Sequence, residues 1–239
     1  MTYERGYVIP AIGDQYVVCA QQLRDSILNL HPEANITIVT TGMLPHGDQG
    51  DWANDWQMFS VSPYRETIKL EADMIATSAI DHWWTLFELR DVVISQGART
   101  YQDEPAASRF YRKCFDANNL PDVYNAITYW RLSPTAKEFF DLVRNIFENW
   151  AEFRKLLKFA EDSASTDVVY AMAAQIMGPD RVTLPAGLGP SVVHMKRHIN
   201  NLQGEDWTQE LIWESDPFRI NTIAQWGFVH YHRKEWTLE

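Results

Sequence analysis

Apolar and polar positions along this chain alternate between two periods, and that alternation lays out the elements. Tyr7-Val8-Ile9-Pro10-Ala11-Ile12 is a short continuous apolar run, which predicts a buried strand. Gly13-Asp14 then opens a helix through Leu30, with Asp14 placed as its N-cap. Val17, Ala20, Leu23, Ile27 and Leu30 fall on one helix face, a stripe that predicts core contact, and Cys19 is expected in the same core. His31-Pro32 stops the helix. The β-branched run Ile36-Thr37-Ile38-Val39-Thr40 predicts a second strand, ended by Thr41-Gly42. Gln57 to Val61 predicts a short third strand, a helical turn follows from Ser62-Pro63, and Ile68 to Ile75 predicts a strand interrupted by Glu71 and Asp73.

Asp81 begins a helix through about Leu89, and Val92-Val93-Ile94 is another short strand. Residues 95–120 are the least regular part, polar and basic with interspersed aromatics. Tyr124 to Leu132 returns to a strand pattern, and Ser133-Pro134 supplies a cap and a first-turn proline for a long helix to about Trp150. Helical patterns continue to Phe159 and again from Thr166 to Met177. Arg181 to Leu184, Ser191 to Met195 and Gly227 to His232 predict late strands. Two glycines between the prolines of Leu184-Pro185-Ala186-Gly187-Leu188-Gly189-Pro190 suit a hinge or lid. Strand–helix alternation predicts an α/β fold around a mostly parallel sheet.

Composition narrows the picture. A chain of 239 residues with 46% hydrophobic content supports a real core. We expect one body over residues 1–200, with an aromatic-rich extension over 201–239 packed on it. No run approaches the roughly 18 apolar residues of a membrane span, and Glu4 and Arg5 precede only a short apolar run, unlike a secretory signal. Cys19 and Cys114 lack metal-ligand spacing and fit a reducing compartment. The expectation is a soluble cytoplasmic protein (the host cytoplasm if phage-encoded) with no membrane partner, its oligomeric state left open. A net charge of −11 disfavours passive coating of nucleic acid but leaves room for a locally basic face.

Candidate chemistry concentrates at Glu71 and Asp73. Carboxylates inside an apolar strand are costly unless a cation sits on them. Acids two apart point the same way in an extended chain, and carboxylate oxygens so placed can hold a hard divalent ion that bridges phosphate oxygens. Short E-x-D matches are common by chance, so the companions of the triplet matter. The chain has no G-x-x-x-x-G-K-[ST] loop, no G-x-G-x-x-G after the first strand, no G-x-S-x-G elbow and no H-E-x-x-H.

Val8-Ile9-Pro10-Ala11 leading into Gly13-Asp14-Gln15-Tyr16 resembles the opening of glycosyltransferases with the GT-A fold, especially the retaining family-eight type. Leu70-Glu71-Ala72-Asp73-Met74 is similar to that family's D-x-D strand, and Ile80-Asp81-His82-Trp83-Trp84 to the helix opening after it. Val123-Tyr124-Asn125-Ala126-Ile127, Ser165-Thr166-Asp167-Val168-Val169 and Val193-His194-Met195-Lys196 resemble three later family features in the same order. The resemblance covers most of residues 7–200. It implies a GT-A (Rossmann-like) mixed, mostly parallel central sheet flanked by helices, a nucleotide-sugar donor such as a UDP-sugar, and Mn²⁺ or Mg²⁺.

The resemblance also implies roles. Asp73 corresponds to the acid that ligates the ion. Glu71 replaces the usual first Asp, and direct ligation, ligation through water and a ribose contact all stay open for it. His194 would supply a nitrogen ligand, a mixed set that suits Mn²⁺ better than Ca²⁺, and Lys196 would pair with a phosphate. Arg65 and Lys69 would neutralise the nucleotide further, or lie solvated four apart on a helical turn. Ala11 and Ile12 stand where the family's base-binding loop begins. Asp167 resembles the acid near the anomeric carbon, with first-turn capping as its plainer role. Asn125 resembles a sugar-contacting residue, or serves backbone groups at a strand start.

For the acceptor, Arg99, Arg109, Tyr111, Arg112 and Lys113 make a basic, aromatic-interleaved segment able to bind phosphates and stack bases. The plainer alternative is a surface helix with Phe110 and Phe115 turned inward. The tail around Trp226-Gly227-Phe228-Val229-His230-Tyr231-His232 is a second candidate acceptor surface, though most of it is expected to be a final strand packed on the sheet with its histidines exposed. Ser62 to Lys69 and Tyr124 to Tyr129 resemble compact bacteriophage glycosyltransferases, some of which modify hydroxymethylated pyrimidines. That resemblance implies double-stranded DNA with modified pyrimidines as acceptor. A glycan or protein glycosyltransferase and a non-catalytic α/β binding module are the alternatives.

Overall fold

The computed structural model describes residues 3–50, 52–106, 112–159, 162–185, 187–204, 207–234 and 236. Its strands are β1 (Tyr3–Ala11), β2 (Ile36–Thr40), β3 (Tyr64–Leu70), β4 (Met74–Ala76), β5 (Val92–Gln96), β6 (Val123–Arg131), β7 (Val192–His194), β8 (Trp213–Ser215), β9 (Phe218–Ile220), β10 (Ile223–Ala224) and β11 (Phe228–His230). The helices are α1 (Gln15–Leu30), α2 (Met58–Val61), α3 (Asp81–Phe87), α4 (Lys113–Asn118), α5 (Pro134–Glu148), α6 (Trp150–Leu156), α7 (Thr166–Met177) and α8 (Pro179–Val182).

The central sheet runs β2-β1-β3-β6-β5. β1 pairs in parallel with β2 and β3, while β6 is antiparallel to β3 and β5, so four strands share one direction and β6 reverses. The fold is therefore mixed α/β with a mostly parallel sheet flanked by helices. Alternation along β1 explains the two layers. Tyr7, Ile9 and Ala11 pack with Cys19, Leu23 and Ile27 of α1 on one face. Val8 packs on the other with Trp130 of β6, Phe139 of α5 and Ala173 of α7. Among the described residues no helix is long and apolar enough to cross a membrane.

A second sheet positions the candidate chemistry. β11 lies between β4, antiparallel to it, and β7, parallel to it. In that register His230 sits opposite Met74 on one side and His194 on the other. β8, β9 and β10 form a separate antiparallel meander.

Several elements differ from the sequence expectation. Glu71-Ala72-Asp73 is not inside a strand: β3 ends at Leu70, and the acids occupy the bend that carries the chain into β4. Glu71 N donates to Ala126 O at 3.1 Å and Asp73 O accepts from Tyr231 N at 3.1 Å, so the bend is tied to both sheets. Residues 57–61 turn helically instead of forming a strand, because the Gln57 side chain accepts from His46 N and donates to Gly47 O, both at 3.0 Å, and folds its loop back. Residues 179–182 form α8 rather than a strand, since Pro179 is pre-set for a first helical turn. Asp14 precedes α1 but makes no side-chain capping bond, whereas Ser133 Oγ accepts from Ala136 N at 3.1 Å and caps α5.

Candidate active site

A cavity of about 600 Å³ opens where β1 and β3 end, and loop, sheet and tail all contribute walls. Ile12 lines it from the β1–α1 connection, Tyr16 from the start of α1, Lys69 from β3, Asp73 from the bend, and Lys196 and Lys234 from the C-terminal segments. Polar groups of both signs thus converge on one concave space, as a binding site for a charged molecule requires.

At the wall, His230 stands between two acids. Its Nε2 is 3.0 Å from Asp73 Oδ1 and its Nδ1 is 3.3 Å from Glu71 Oε2. Burial alone would raise the Asp73 carboxyl, but the charge and hydrogen bond of His230, with His232 behind it, hold it well below the usual carboxylate range. Burial dominates at Glu71 and raises it, with His230 and Lys69 offsetting only part. Burial would lower His230, yet Asp73 and Glu71 outweigh it and raise the imidazole. Burial first and neighbouring positive groups second hold both the buried His194 and the half-buried His232 well below the ordinary imidazole value.

A second network lies in the cavity wall. The buried Lys69 Nζ is 2.7 Å from Asp55 Oδ1 and donates to Asn125 O at 3.2 Å. Asp55 also accepts from Asn125 Nδ2 at 3.2 Å and from the Tyr170 hydroxyl. Asp167, in the first turn of α7, accepts from Asn125 N at 2.8 Å through Oδ1 and from Arg112 at 3.2 Å through Oδ2. Both carboxylate oxygens are therefore oriented, and the side chain still faces the cavity.

The structure brings together Ile12, Lys69, Glu71, Asp73, Asp167 and Lys196 around this space. Asn125 adjoins it through Asp55 and Asp167. Ala11 is buried and does not line the cavity. His194 is fully buried and faces His232 and Tyr124, so the imidazole beside Asp73 is His230 rather than His194. Arg65 lies at the far end of β3, exposed and 3.7 Å from Glu4, and does not line the cavity. Lys69 is on the same strand, not on a helical turn, and is buried. Arg99 is spent internally: it donates to Trp226 O and Asp103, and its guanidinium stacks 3.9 Å from the Trp226 ring. Arg112 is buried against Asp122, Val123 O and Asp167, which makes it a support for Asp167 instead of an exposed acceptor contact. Lys113 is exposed at the start of α4 and away from the cavity. Arg109 and Tyr111 lie outside the described residues.

Sequence reasoning missed His230, His232, Lys234, Asp55 and Tyr124. The tail histidines are not exposed: His230 is buried and His232 half-buried. A usable signal was present in His230-Tyr231-His232, where two imidazoles one residue apart follow an apolar strand end and can face the same way.

The donor set suits a divalent ion. Glu71, Asp73 and His230 each offer a ligand atom within 4.8 Å of the others, a mixed oxygen–nitrogen set that could hold a metal ion. Asp73 is buried and Glu71 partly so, and the two share one imidazole.

No protein-family model matches the sequence, and no curated protein matches it in sequence. Solved structures match in fold. The galactosyltransferase LgtC, solved with donor and acceptor sugar analogues, aligns with a TM-score of 0.50 at 12% identity, covering 95% of this chain and 87% of its own. The bifunctional glycosyltransferase WbbM gives 0.53 at 12% identity, with 98% of this chain and 46% of that one covered. Mouse xyloside xylosyltransferase 1 gives 0.51 at 10% identity, with 96% and 97% covered. At such identities the likeness is one of fold, and the fold is that of GT-A glycosyltransferases.

Proposed function

We propose that this protein transfers a sugar from a nucleoside-diphosphate sugar, such as a UDP-sugar, to an acceptor hydroxyl. The observation that carries this reading is the meeting of Glu71, Asp73 and His230 on the wall of a cavity that also presents Lys196 and Lys234. Glu71, Asp73 and His230 would hold Mn²⁺ or Mg²⁺. When bound, the ion would supply charge stabilisation to the departing diphosphate. Lys196 and Lys234 add positive charge for the phosphates. Asp167, which lines the same cavity with its two oxygens held by Asn125 N and Arg112, would serve as the acid near the sugar. A retaining course is part of the proposal on family resemblance, and the anomeric form of the product read by NMR checks it.

For the acceptor we propose a 5-hydroxymethylpyrimidine in double-stranded phage DNA, supported by the phrasing of residues 62–69 and 124–129. Transfer in the cytoplasm accords with two free cysteines. A base acceptor must bring its hydroxymethyl group into the cavity, by flipping or through a groove. The test is incubation with Mn²⁺, a panel of nucleotide sugars, and hydroxymethylated duplex DNA, ordinary duplex DNA or glycan acceptors, followed by digestion and mass spectrometry. Sugar on the modified nucleoside supports the full reading. Transfer to a glycan or peptide alone overturns the DNA acceptor, and no donor turnover with any acceptor overturns the enzyme.

A further inference from the structure

We propose that His194, His230 and His232 form a nitrogen-only site for a Zn²⁺-class ion, adjacent to the carboxylate pair and sharing His230 with it. One ring nitrogen of each histidine lies within 4.8 Å of one from each of the others. His194 Nδ1 is 2.9 Å from His232 Nε2. The Tyr124 hydroxyl touches Nδ1 of His194 and, at 2.8 Å, Nδ1 of His230. Nitrogens from β7, from β11 and from the segment after it therefore face one small volume. His194 and His230 are buried, and His232 lines the cavity, which gives an ion a way in.

Three features fit a ligand set better than a packed group of core imidazoles. First, His230 turns Nε2 to Asp73 Oδ1 at 3.0 Å, while its Nδ1 lies 3.3 Å from Glu71 Oε2 and 2.8 Å from the Tyr124 hydroxyl that also touches His194 Nδ1. A metal-binding histidine commonly gives its other ring N–H to a carboxylate, which sets tautomer and orientation. Second, His232 holds its ring in place from a backbone φ of 62°, a left-handed conformation that a non-glycine residue keeps where its surroundings demand it. Third, the donors are all imidazole, the type that suits Zn²⁺, Co²⁺ and Ni²⁺, whereas carboxylates suit Mg²⁺ and Mn²⁺. Two neighbouring sites of different preference result. An ion on the histidines ties residues 230 and 232 to β7 and braces the cavity wall.

The site is tested by titrating the metal-free, full-length protein with Co²⁺ and following its visible d–d absorption, with Zn²⁺ and Mg²⁺ as competitors. The expected result is one four-coordinate Co²⁺ spectrum per chain, displaced by Zn²⁺ but not by Mg²⁺. His232→Gln, at a half-buried position that tolerates change better than His194, should abolish the spectrum and the Zn²⁺-dependent rise in Tm. Asp73→Asn should keep the spectrum with affinity weakened by roughly 10–100-fold. No such spectrum in the wild type overturns the proposal. So does a spectrum kept in His232→Gln but lost in Asp73→Asn, which would put the ion on the carboxylates. Sugar transfer is not part of this readout, so failure of the transferase reading and failure of the histidine site are separate results.

Discussion

His230 Nε2 lies 3.0 Å from Asp73 Oδ1 across 157 residues of chain. The contact exists because β11 inserts between β4 and β7, so the strand that ends the fold delivers its imidazole beside an acid at the bend between two sheets.

Asp73→Asn keeps the side-chain shape and removes its charge. Sugar transfer should fall by about 10²–10³-fold, and Mn²⁺ affinity measured by EPR titration should fall with it. An unchanged Mn²⁺ affinity would remove Asp73 from the ion site.

Metal removal should register in stability as well as activity. Mn²⁺ at about 100 times its Kd should stabilise the native state by about 2.7 kcal/mol, seen as a rise in Tm that EDTA reverses. Asp73→Asn should abolish that rise, and a rise that persisted would place the ion elsewhere.

Lys69→Met strips the largely buried Asp55 of its cation, although Asn125 and Tyr170 still donate to it. Urea denaturation should show a loss of roughly 3 kcal/mol or more. Lys69→Met combined with Asp55→Asn should recover part of it, because no unpaired charge then remains. Additive losses would mean the pair is uncoupled.

Two helix starts make a matched test of capping. Ser133→Ala removes a bond to Ala136 N and should cost about 1 kcal/mol. Asp14→Ala removes no capping bond and should change chemical stability far less.

Gly6 faces the Tyr64 ring so closely that an added Cβ would meet it at 2.4 Å. Gly6→Ala should therefore destabilise the β1–β3 pair by about 1–3 kcal/mol, read as a lower urea midpoint. A neutral substitution would show that the ring can move aside.

Much of this architecture was legible in the order of residues. The β1 run, the stripe of Leu23 and Ile27, the Ser133-Pro134 start and the span Thr166–Met177 depend on periodicity and caps, which act over one or two turns. The segments that misled, 57–61 and 181–184, are short apolar stretches whose state was decided by the Gln57 side chain and by Pro179. In the site, Asp73 was legible because an acid in an apolar setting demands a partner. The partner itself was not.

What the sequence alone determined is the α/β alternation, the acids at 71 and 73, and the late basic and aromatic segments, because each is a property of neighbours along the chain. Tertiary structure decided that His230 rather than His194 meets Asp73, that Arg99 and Arg112 are spent inside the fold, and that Lys69 belongs to a buried ion pair. The physical reason is strand order: pairing β11 between β4 and β7 sets distances across more than a hundred residues, and no local pattern encodes them.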